Sequence, residues 1–228
     1  MKLSVIIPCY NEENTLDRIL DKVINENSIE KEVIVIDDFS TDNSRKKLEN
    51  YNKKDKIKII FNSQNKGKGY SIRQGLKLAS GDIILIQDAD LEYSPDDYKY
   101  LIEPILNDEA DVVYGSRFIG GQGTRVLYFW HTLGNKFLTL LSNMFTNLNL
   151  TDMECCYKVF KKDVIKSIKL KENRFGFEPE ITAKISKKNL KIYEIGVKYF
   201  GRKYEDGKKI TWKDGFAAIF CIIYYNLF

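Results

Sequence analysis

Two spacings of apolar residues alternate along the first half of the chain. Short segments rich in apolar residues, typical of buried parallel strands, occupy residues 3–7, 32–37, 56–61, 83–86 and 111–115. Between these runs apolar residues recur every three or four positions, as at Leu16, Ile19, Leu20 and Val23, which predicts amphipathic helices. The alternation predicts an α/β fold in which right-handed crossovers join the strands of a mainly parallel sheet.

The pattern changes after residue 117. In the remaining chain the sequence contains a glycine segment at 120–123 and an aromatic cluster at 127–131. It predicts helices at 133–148 and 175–188, a strand at 191–199 and a last helix at about 216–225. The last helix contains ten apolar residues, whereas a membrane span needs roughly twenty. It is therefore either a core helix or an interfacial helix whose Lys208, Lys209 and Lys213 extend toward headgroups.

Closely spaced carboxylates follow the apolar run 83–86. At a strand's period of two, Asp88 and Asp90 point to the same side, and Glu92 continues that side where the chain stays extended. Three oxygen donors then converge on one point, as hard divalent cations such as Mg²⁺ or Mn²⁺ require. A solvated acidic loop is the alternative for so short a motif. The Ser-Pro pair that follows suits the start of a helix and favours an ordered site.

Composition and charge narrow the class of protein. The 228 residues suit one domain, and 43% hydrophobic with 30% charged residues is the balance of an ordinary globular protein. The formal charge of +4 is too small to indicate nucleic-acid binding. Four cysteines without a Cys-x-x-Cys pair indicate neither zinc nor a disulfide framework, and the N-terminal apolar stretch is too short for a signal peptide. We therefore expect a protein of the cytosol.

Two further features have both a functional and a structural interpretation. The Asn-Lys-Gly-Lys-Gly loop at 65–69 lacks the third glycine of a dinucleotide fingerprint and the Gly-Lys-Ser/Thr of a P-loop. It is either a helix start that faces an anion or a simple turn. His131, the single histidine, has no second histidine or reactive serine pattern beside it and is interpreted as structural.

Five motifs follow one another in a recognisable order. They are Pro-Cys-Tyr-Asn-Glu at 8–12, Val-Ile-Asp-Asp at 35–38, Asn-Lys-Gly-Lys-Gly at 65–69, Asp-Ala-Asp-Leu-Glu at 88–92 and Gly-Ser-Arg-Phe at 115–118. Together they resemble the motifs of family 2 glycosyltransferases of the GT-A fold. Residues 151–152, 175–178 and 202–208 extend the likeness to dolichyl-phosphate mannose synthases and polyprenyl-phosphate hexosyltransferases. The resemblance covers nearly the whole chain.

The resemblance implies one GT-A domain over residues 1–228, with C-terminal amphipathic helices. In it, residues 1–118 bind the nucleotide sugar and residues 119–228 bind the acceptor. The residues implied in donor binding are Pro8, Tyr10, Asn11, Glu12, Val35, Asp37, Lys66, Gly67 and Ala89. Asp88 and Asp90 are expected to hold the metal and the diphosphate, with Glu92 as a third metal ligand. Glu92 departs from the glutamine that is frequent in the mannose synthases.

Basic residues are implied around the donor and acceptor phosphates. They are Arg117, Arg202 and Lys208, and we expect Asp90, Arg117 and Arg202 to be the catalytic residues. The cofactor implied is Mg²⁺ or Mn²⁺, which neutralises charge on the leaving diphosphate.

The expected reaction is inverting transfer of a hexose from GDP-mannose or a UDP-hexose to a polyprenyl or dolichyl phosphate. A phosphate monoester, with a second pKa near ~6, is already a nucleophile at neutral pH and needs no base. Many enzymes of this branch carry C-terminal membrane spans that this sequence lacks. We therefore expect peripheral contact with the cytosolic face of a membrane and no nucleic-acid partner, while the oligomeric state stays open.

Three other functions stay open at this point. A glycosyltransferase acting on a sugar hydroxyl in cell-surface polysaccharide synthesis needs a general base such as Asp152 or Glu154. A sugar nucleotidyltransferase also combines an α/β sheet, carboxylates and Mg²⁺, but it releases pyrophosphate. A non-catalytic membrane-binding module binds no nucleotide.

Overall fold

The computed structural model describes residues 1–51, 57–120, 125–126, 128–202 and 212–228, without the side chain of Trp212. Its strands are β1 (Leu3–Cys9), β2 (Lys31–Asp37), β3 (Ile57–Phe61), β4 (Ile83–Ile86), β5 (Val112–Ser116), β6 (Lys158–Lys161) and β7 (Ile192–Gly196). Its helices are α1 (Leu16–Asn25), α2 (Ser44–Tyr51), α3 (Lys68–Leu78), α4 (Tyr98–Leu106), α5 (Phe129–Thr146), α6 (Lys162–Lys166), α7 (Phe177–Ser186) and α8 (Trp212–Leu227). The predicted strands and helices are present, and β6 and α6 had no predicted counterpart.

The seven described strands form one mixed sheet in the order β3-β2-β1-β4-β6-β5-β7. β1 pairs in parallel with β2 and β4, β2 with β3, and β5 with β7. β6 runs antiparallel to both β4 and β5. The predicted mainly parallel arrangement is thus confirmed, and β6 is the antiparallel exception. It follows both β4 and β5 in the sequence and lies between them in the sheet.

Burial on both faces of the sheet explains the apolar residues of its strands. All four side chains of β4 are buried, and α1 buries Leu16, Ile19, Leu20 and Val23 along the face that their spacing predicted. Because the parallel strands β1, β2 and β4 end at the same edge of the sheet, the loops that follow them meet there. These loops carry three of the five motifs noted in the sequence.

Helices α5 and α8 pack against each other and against α7. On α8, Cys221, Ile222 and Tyr225 are buried, while Phe220 on the opposite face is 66% exposed. On α5, Trp130 is 76% exposed. We call the exposed apolar side chains of these two helices the apolar surface: Phe129, Trp130, Leu133, Phe137, Leu140, Met144, Phe145, Phe216, Phe220, Ile223 and Leu227.

The last helix therefore combines the two interpretations of its sequence, because one face lies in the core and the other is exposed and apolar. It is less amphipathic than expected, since the exposed face carries aromatic rings as well as polar groups. Among the helices of the described ranges, none has the length and apolar character needed to cross a bilayer.

Replacement of two helix glycines by alanine should change the stability in opposite directions. A Cβ on Gly75 of α3 would lie 2.5 Å from Ile6 Cγ2 and 3.0 Å from Ile36 Cδ1, so Gly75→Ala forces α3 away from the sheet. We expect it to lower the free energy of unfolding by about 1–3 kcal/mol, as overpacking does. A Cβ on Gly134 of α5 meets no described atom within 4 Å. Gly134→Ala should therefore raise the free energy of unfolding by about 0.4–1 kcal/mol.

Urea unfolding followed by circular dichroism compares the two variants directly. Equal changes in both would contradict the close approach of α3 to β1 and β2.

Candidate active site

A cleft of about 1270 Å³ opens where the loops after β1, β2 and β4 meet. The loops contribute mostly charged side chains, whereas α5 and α8 contribute the apolar Trp130, Leu138 and Ala218 together with the polar His131, Asn135 and Asp214. The residues that line the cleft are Pro8, Cys9, Tyr10, Glu12, Asp38, Asn65, Lys68, Ser71, Asp88, Ala89, Asp90, Glu92, Tyr93, Arg117, Trp130, His131, Gly134, Asn135, Leu138, Glu154, Cys156, Arg174, Phe175, Glu178, Tyr199, Arg202, Asp214, Gly215 and Ala218.

Arg202 connects three carboxylates on one side of the cleft. Its guanidinium lies 3.1 Å from Glu12 and 2.8 Å from Asp90, and its Nε lies 3.7 Å from Glu92. The backbone N–H of Arg202 also donates to Glu92 at 2.7 Å. A single arginine therefore ties the loop after β1 to the loop after β4.

Lys68, the first residue of α3, connects two further carboxylates. Its Nζ lies 2.9 Å from Asp88 and 2.9 Å from Glu178 of α7. Burial raises the pKa of Asp88, but the charge and hydrogen bond of Lys68, a hydrogen bond with Cys156 and the charge of Arg202 together bring the pKa below its usual value. Asp88 is thus ionised at neutral pH and held toward α3.

The carboxylates of Asp88, Asp90 and Glu92 do not converge on one point. β4 ends at Ile86 and the chain bends from residue 89 to residue 92, so the period of two ends with the strand. Glu92 turns toward Arg202 and accepts a hydrogen bond from Tyr199 at 3.2 Å. Within the described ranges no group of three histidine, cysteine, aspartate or glutamate residues is arranged to hold a metal. The assignment of all three carboxylates to one metal therefore stays a prediction.

The charge balance nevertheless fits an added cation. Four carboxylates from the loops after β1 and β4 share Lys68 and Arg202 as ion-pair partners. Burial, together with the charges of Asp88 and Glu92, raises the pKa of Asp90 to about 7. Carboxylate oxygens suit Mg²⁺ or Mn²⁺, and such ions commonly use one or two carboxylates together with substrate phosphates and water.

Four of the nine residues predicted to bind the donor lie on the cleft. Pro8, Tyr10, Glu12 and Ala89 are among its lining residues. Asn11 has a supporting position, with a φ of 49°, and its Oδ1 accepts a hydrogen bond from the backbone N–H of Thr41 at 2.8 Å. That bond joins the loops after β1 and β2.

Val35 and Asp37, two of the five predicted donor residues that do not line the cleft, are buried in β2. Val35 is fully buried in the middle of β2, with its side chain in the core rather than on the cleft. Asp37 is also fully buried, and its carboxylate accepts a hydrogen bond from the backbone N–H of Ser40 at 3.3 Å. The neighbouring Asp38 lines the cleft instead.

Asp38 stabilises the glycine loop at 65–69 through hydrogen bonds. Its carboxylate accepts hydrogen bonds from the backbone N–H groups of Lys66 at 3.0 Å and Gly67 at 2.6 Å. Gly67 has a φ of 96°, and a Cβ there would collide with the carbonyl of Asn173, so glycine is required. The Lys66 ammonium lies over the ring of Tyr70, outside the cleft. The anion that this helix start faces is thus a carboxylate of the chain itself.

Arg117 forms a bidentate ion pair with Asp152. Its Nε and Nη2 each lie 2.7 Å from an oxygen of Asp152, which is fully buried. The guanidinium also stacks 5.3 Å from the centre of the Tyr199 ring. Because both oxygens of Asp152 are bound to Arg117, Glu154 is the remaining candidate base of the two. Lys208, the third predicted phosphate contact, lies outside the described residues.

Sequence reasoning missed several residues of the cleft. Asp38, Lys68 and Tyr199 received no role, and Glu178 was noted only as part of a motif. A second lysine next to the glycines of the loop at 65–69 was the available signal for Lys68. For Tyr199 we find no such signal, because its contacts with Arg117 and Glu92 join distant parts of the chain.

Comparisons with known proteins extend this picture. The family model described as glycosyl transferase family 2 matches residues 4–169. Dolichol-phosphate mannosyltransferase of Pyrococcus furiosus is 30% identical over 217 residues, which cover 92% of this chain and 61% of that protein. UDP-N-acetylglucosamine–dolichyl-phosphate N-acetylglucosaminyltransferase of Methanococcus voltae is 29% identical over 237 residues, which cover 96% of this chain and 94% of that protein. The chain thus spans about three fifths of the first relative's length.

Among solved structures, glucosyl-3-phosphoglycerate synthase from Mycobacterium tuberculosis is similar, in a complex with Mn²⁺, UDP and glucosyl-3-phosphoglycerate. The TM-score is 0.76 at 17% identity, over 98% of this chain and 79% of that chain. At this identity the likeness establishes a shared fold.

Proposed function

The chain belongs to glycosyl transferase family 2, and we propose that it is a metal-dependent enzyme that transfers a hexose from a nucleotide sugar to a polyprenyl or dolichyl phosphate. The GT-A fold expected from its motifs is confirmed. Similar proteins bear the names of transferases that act on dolichyl phosphate. GDP-mannose and UDP-hexoses are the candidate donors.

One observation carries the choice of acceptor. A single cleft is lined both by charged groups, among them Asp90, Arg117 and Arg202, and by apolar side chains of α5 and α8, such as Trp130 and Leu138. Those two helices also bear the exposed apolar surface. A lipid phosphate has the same two parts, an anionic head and an apolar chain, so it matches both linings at once.

The chemistry requires few steps. An oxygen of the acceptor phosphate attacks the anomeric carbon of the sugar from the face opposite the diphosphate. The bond from that carbon to the diphosphate oxygen breaks, the nucleoside diphosphate leaves with the electron pair, and the configuration inverts. Because the attacking oxygen is already anionic, no base is needed. Arg117 and Arg202 supply charge-assisted hydrogen bonds to the phosphates.

Asp88 and Asp90 are the residues that would hold Mg²⁺ or Mn²⁺. When bound, the ion stabilises the charge that develops on the leaving diphosphate. We assign residues 1–118 to the donor and residues 119–228 to the acceptor within the one domain. The motif residues Pro8, Tyr10 and Glu12 on the cleft, and α5 and α8 beside it, support this division.

Transfer to lipid phosphate is tested with radiolabelled nucleotide sugars, Mn²⁺ or Mg²⁺ and vesicles that contain a polyprenyl phosphate. We expect label in the organic phase, and none when the same polyprenol without phosphate replaces the acceptor. Label transferred only to water-soluble hydroxyl compounds would favour the base-assisted glycosyltransferase. Pyrophosphate release from a sugar phosphate and a nucleoside triphosphate would favour the nucleotidyltransferase.

We also propose peripheral contact with the cytosolic face of a membrane through the apolar surface. Burying one aromatic side chain contributes about 1.5–3 kcal/mol. Replacing Phe129, Trp130 and Phe220 together with serine should therefore weaken partition into phospholipid vesicles at least about tenfold. Cosedimentation measures this. Leu106→Ser on α4 changes an exposed apolar residue elsewhere and is the matched control. Equal partition of both variants would contradict the proposed contact.

A further inference from the structure

Two carboxyl groups on the cleft wall have oxygen atoms without a protein partner. Glu178, in the first turn of α7, is 4% exposed. Its Oε1 pairs with Lys68, but its Oε2 makes no hydrogen bond within the described structure. The Oε1 of Glu154 is likewise buried without such a bond there. Buried acceptors are costly to leave unsatisfied, so both atoms indicate a ligand that brings hydrogen-bond donors into the cleft.

The position of the pair relates it to the proposed donor. Lys68 contacts both Glu178 and Asp88, so Glu178 lies one side chain away from a residue assigned to the metal and diphosphate. In a nucleotide sugar the hexose is bonded directly to the diphosphate. The hydroxyl groups of that hexose would therefore contact the wall of the cleft one side chain beyond Asp88.

The chemistry of the pair excludes other ligands. Phosphate groups are repelled by carboxylates. A metal is not indicated, because no group of three suitable side chains is arranged for one within the described ranges. Glu178 already has Lys68 as a counter-ion, which removes the need for a cationic ligand. Neutral hydroxyl groups remain, since they both donate and accept hydrogen bonds.

Glu154 and Glu178 have different surroundings. Burial, together with the charge of Glu178, raises the pKa of Glu154 to about 8. At neutral pH the carboxyl of Glu154 is therefore mostly protonated and can donate one hydrogen bond and accept others. Glu178, held by Lys68, only accepts. A neutral donor beside a charged acceptor suits two neighbouring hydroxyl groups of a sugar ring.

We propose that Glu178 and Glu154 form the subsite that binds hydroxyl groups of the transferred sugar and so determine which hexose is accepted. This inference rests on the proposed function, and it gives two residues of the part assigned to the acceptor, 119–228, a second role toward the sugar of the donor. A site built to hydrogen-bond a hydroxyl can reject an analogue lacking it by as much as about 10⁴-fold. Discrimination between sugars is therefore the property that these two residues should control.

The test compares Glu178→Gln and Glu154→Gln with the wild type. For the donor that a panel of UDP- and GDP-hexoses identifies as best, kcat/KM is measured beside its epimers and deoxy analogues. We expect the ratio between the best donor and its analogues to fall at least about tenfold in one or both variants. The Kd of the free nucleoside diphosphate with Mn²⁺ should change less than about threefold, because that ligand has no hexose. Glu103→Gln, on the exposed side of α4, is the control.

Several results would overturn the proposal. Unchanged sugar discrimination in both variants, with lipid transfer intact in the wild type, would remove the subsite and leave the proposed function standing. Loss of turnover in Glu154→Gln with unchanged KM and unchanged discrimination would make Glu154 a general base instead. Wild-type protein that binds no nucleotide sugar would refute both the function and the subsite. Glu154→Gln keeps the test decisive if Glu178→Gln unfolds, since Glu154 lies outside the Lys68 ion pair.

Discussion

Replacing Asp90 with asparagine is expected to lower turnover by about 10²–10³-fold, the range seen when one electrostatic contact to a developing anion is lost. The variant removes one of the two carboxylates assigned to the cation and also the 2.8 Å ion pair with Arg202. Asparagine nearly preserves the shape, and Arg202 keeps Glu12 and Glu92 as partners. The fold should therefore persist. Initial rates with Mn²⁺, together with the Kd of Mn²⁺ and nucleoside diphosphate from calorimetry, measure the effect.

Asp163→Asn provides the matched control, because Asp163 is an exposed carboxylate of α6 outside the cleft. It removes the same charge and should leave rate and binding unchanged. An Asp90→Asn variant that works at the wild-type rate in the presence of a chelator would contradict the assignment of Asp90 to the cation.

The largest effect on stability is expected for Asp152→Ala. Arg117 is mostly buried, and both of its hydrogen bonds to a carboxylate end on Asp152. Removing that partner leaves a buried guanidinium without its counter-ion, which costs about 3–5 kcal/mol in comparable ion pairs. We expect a loss of this size in the free energy of unfolding, measured by urea denaturation. Stacking on Tyr199 keeps part of the interaction energy of Arg117.

The double variant Arg117→Ala/Asp152→Ala isolates the pair. It should be less destabilised than the sum of the two single variants, because neither charge then stays buried alone. Asp163→Ala controls for loss of an exposed aspartate. Independent effects of the two substitutions, or a change below about 1 kcal/mol in Asp152→Ala, would argue against a buried ion pair that positions Arg117.

The site owes its negative charge to Glu92 as much as to the two aspartates. Glu92 accepts hydrogen bonds from the Arg202 backbone and from Tyr199, and it raises the pKa of Asp90. A glutamine at this position would keep hydrogen-bonding capacity without the charge. In this chain Glu92 thus holds Arg202 in place, and its predicted role as a third metal ligand stays a prediction.

The sequence alone determined six of the seven described strands, the helix faces and the edge of the sheet at which the site lies. Leu16, Ile19, Leu20 and Val23 show their shared face by spacing, and the burial of β4 follows from four consecutive aliphatic residues. Helix starts could also be recognised, as at Ser94, whose side chain accepts a hydrogen bond from Asp96. These features depend on residues within one or two turns of each other, so a short window of sequence contains all their causes.

Only the tertiary structure decided which charges meet. Arg202 contacts Glu12 across 190 positions of the sequence, and β6 enters the sheet between β4 and β5 although its four residues begin and end with lysine. The direction of Glu92 and the partnership of Lys68 with Glu178 were decided in the same way. Such contacts depend on strand order and on the course of loops, which no local periodicity specifies, because they form only when distant segments pack together.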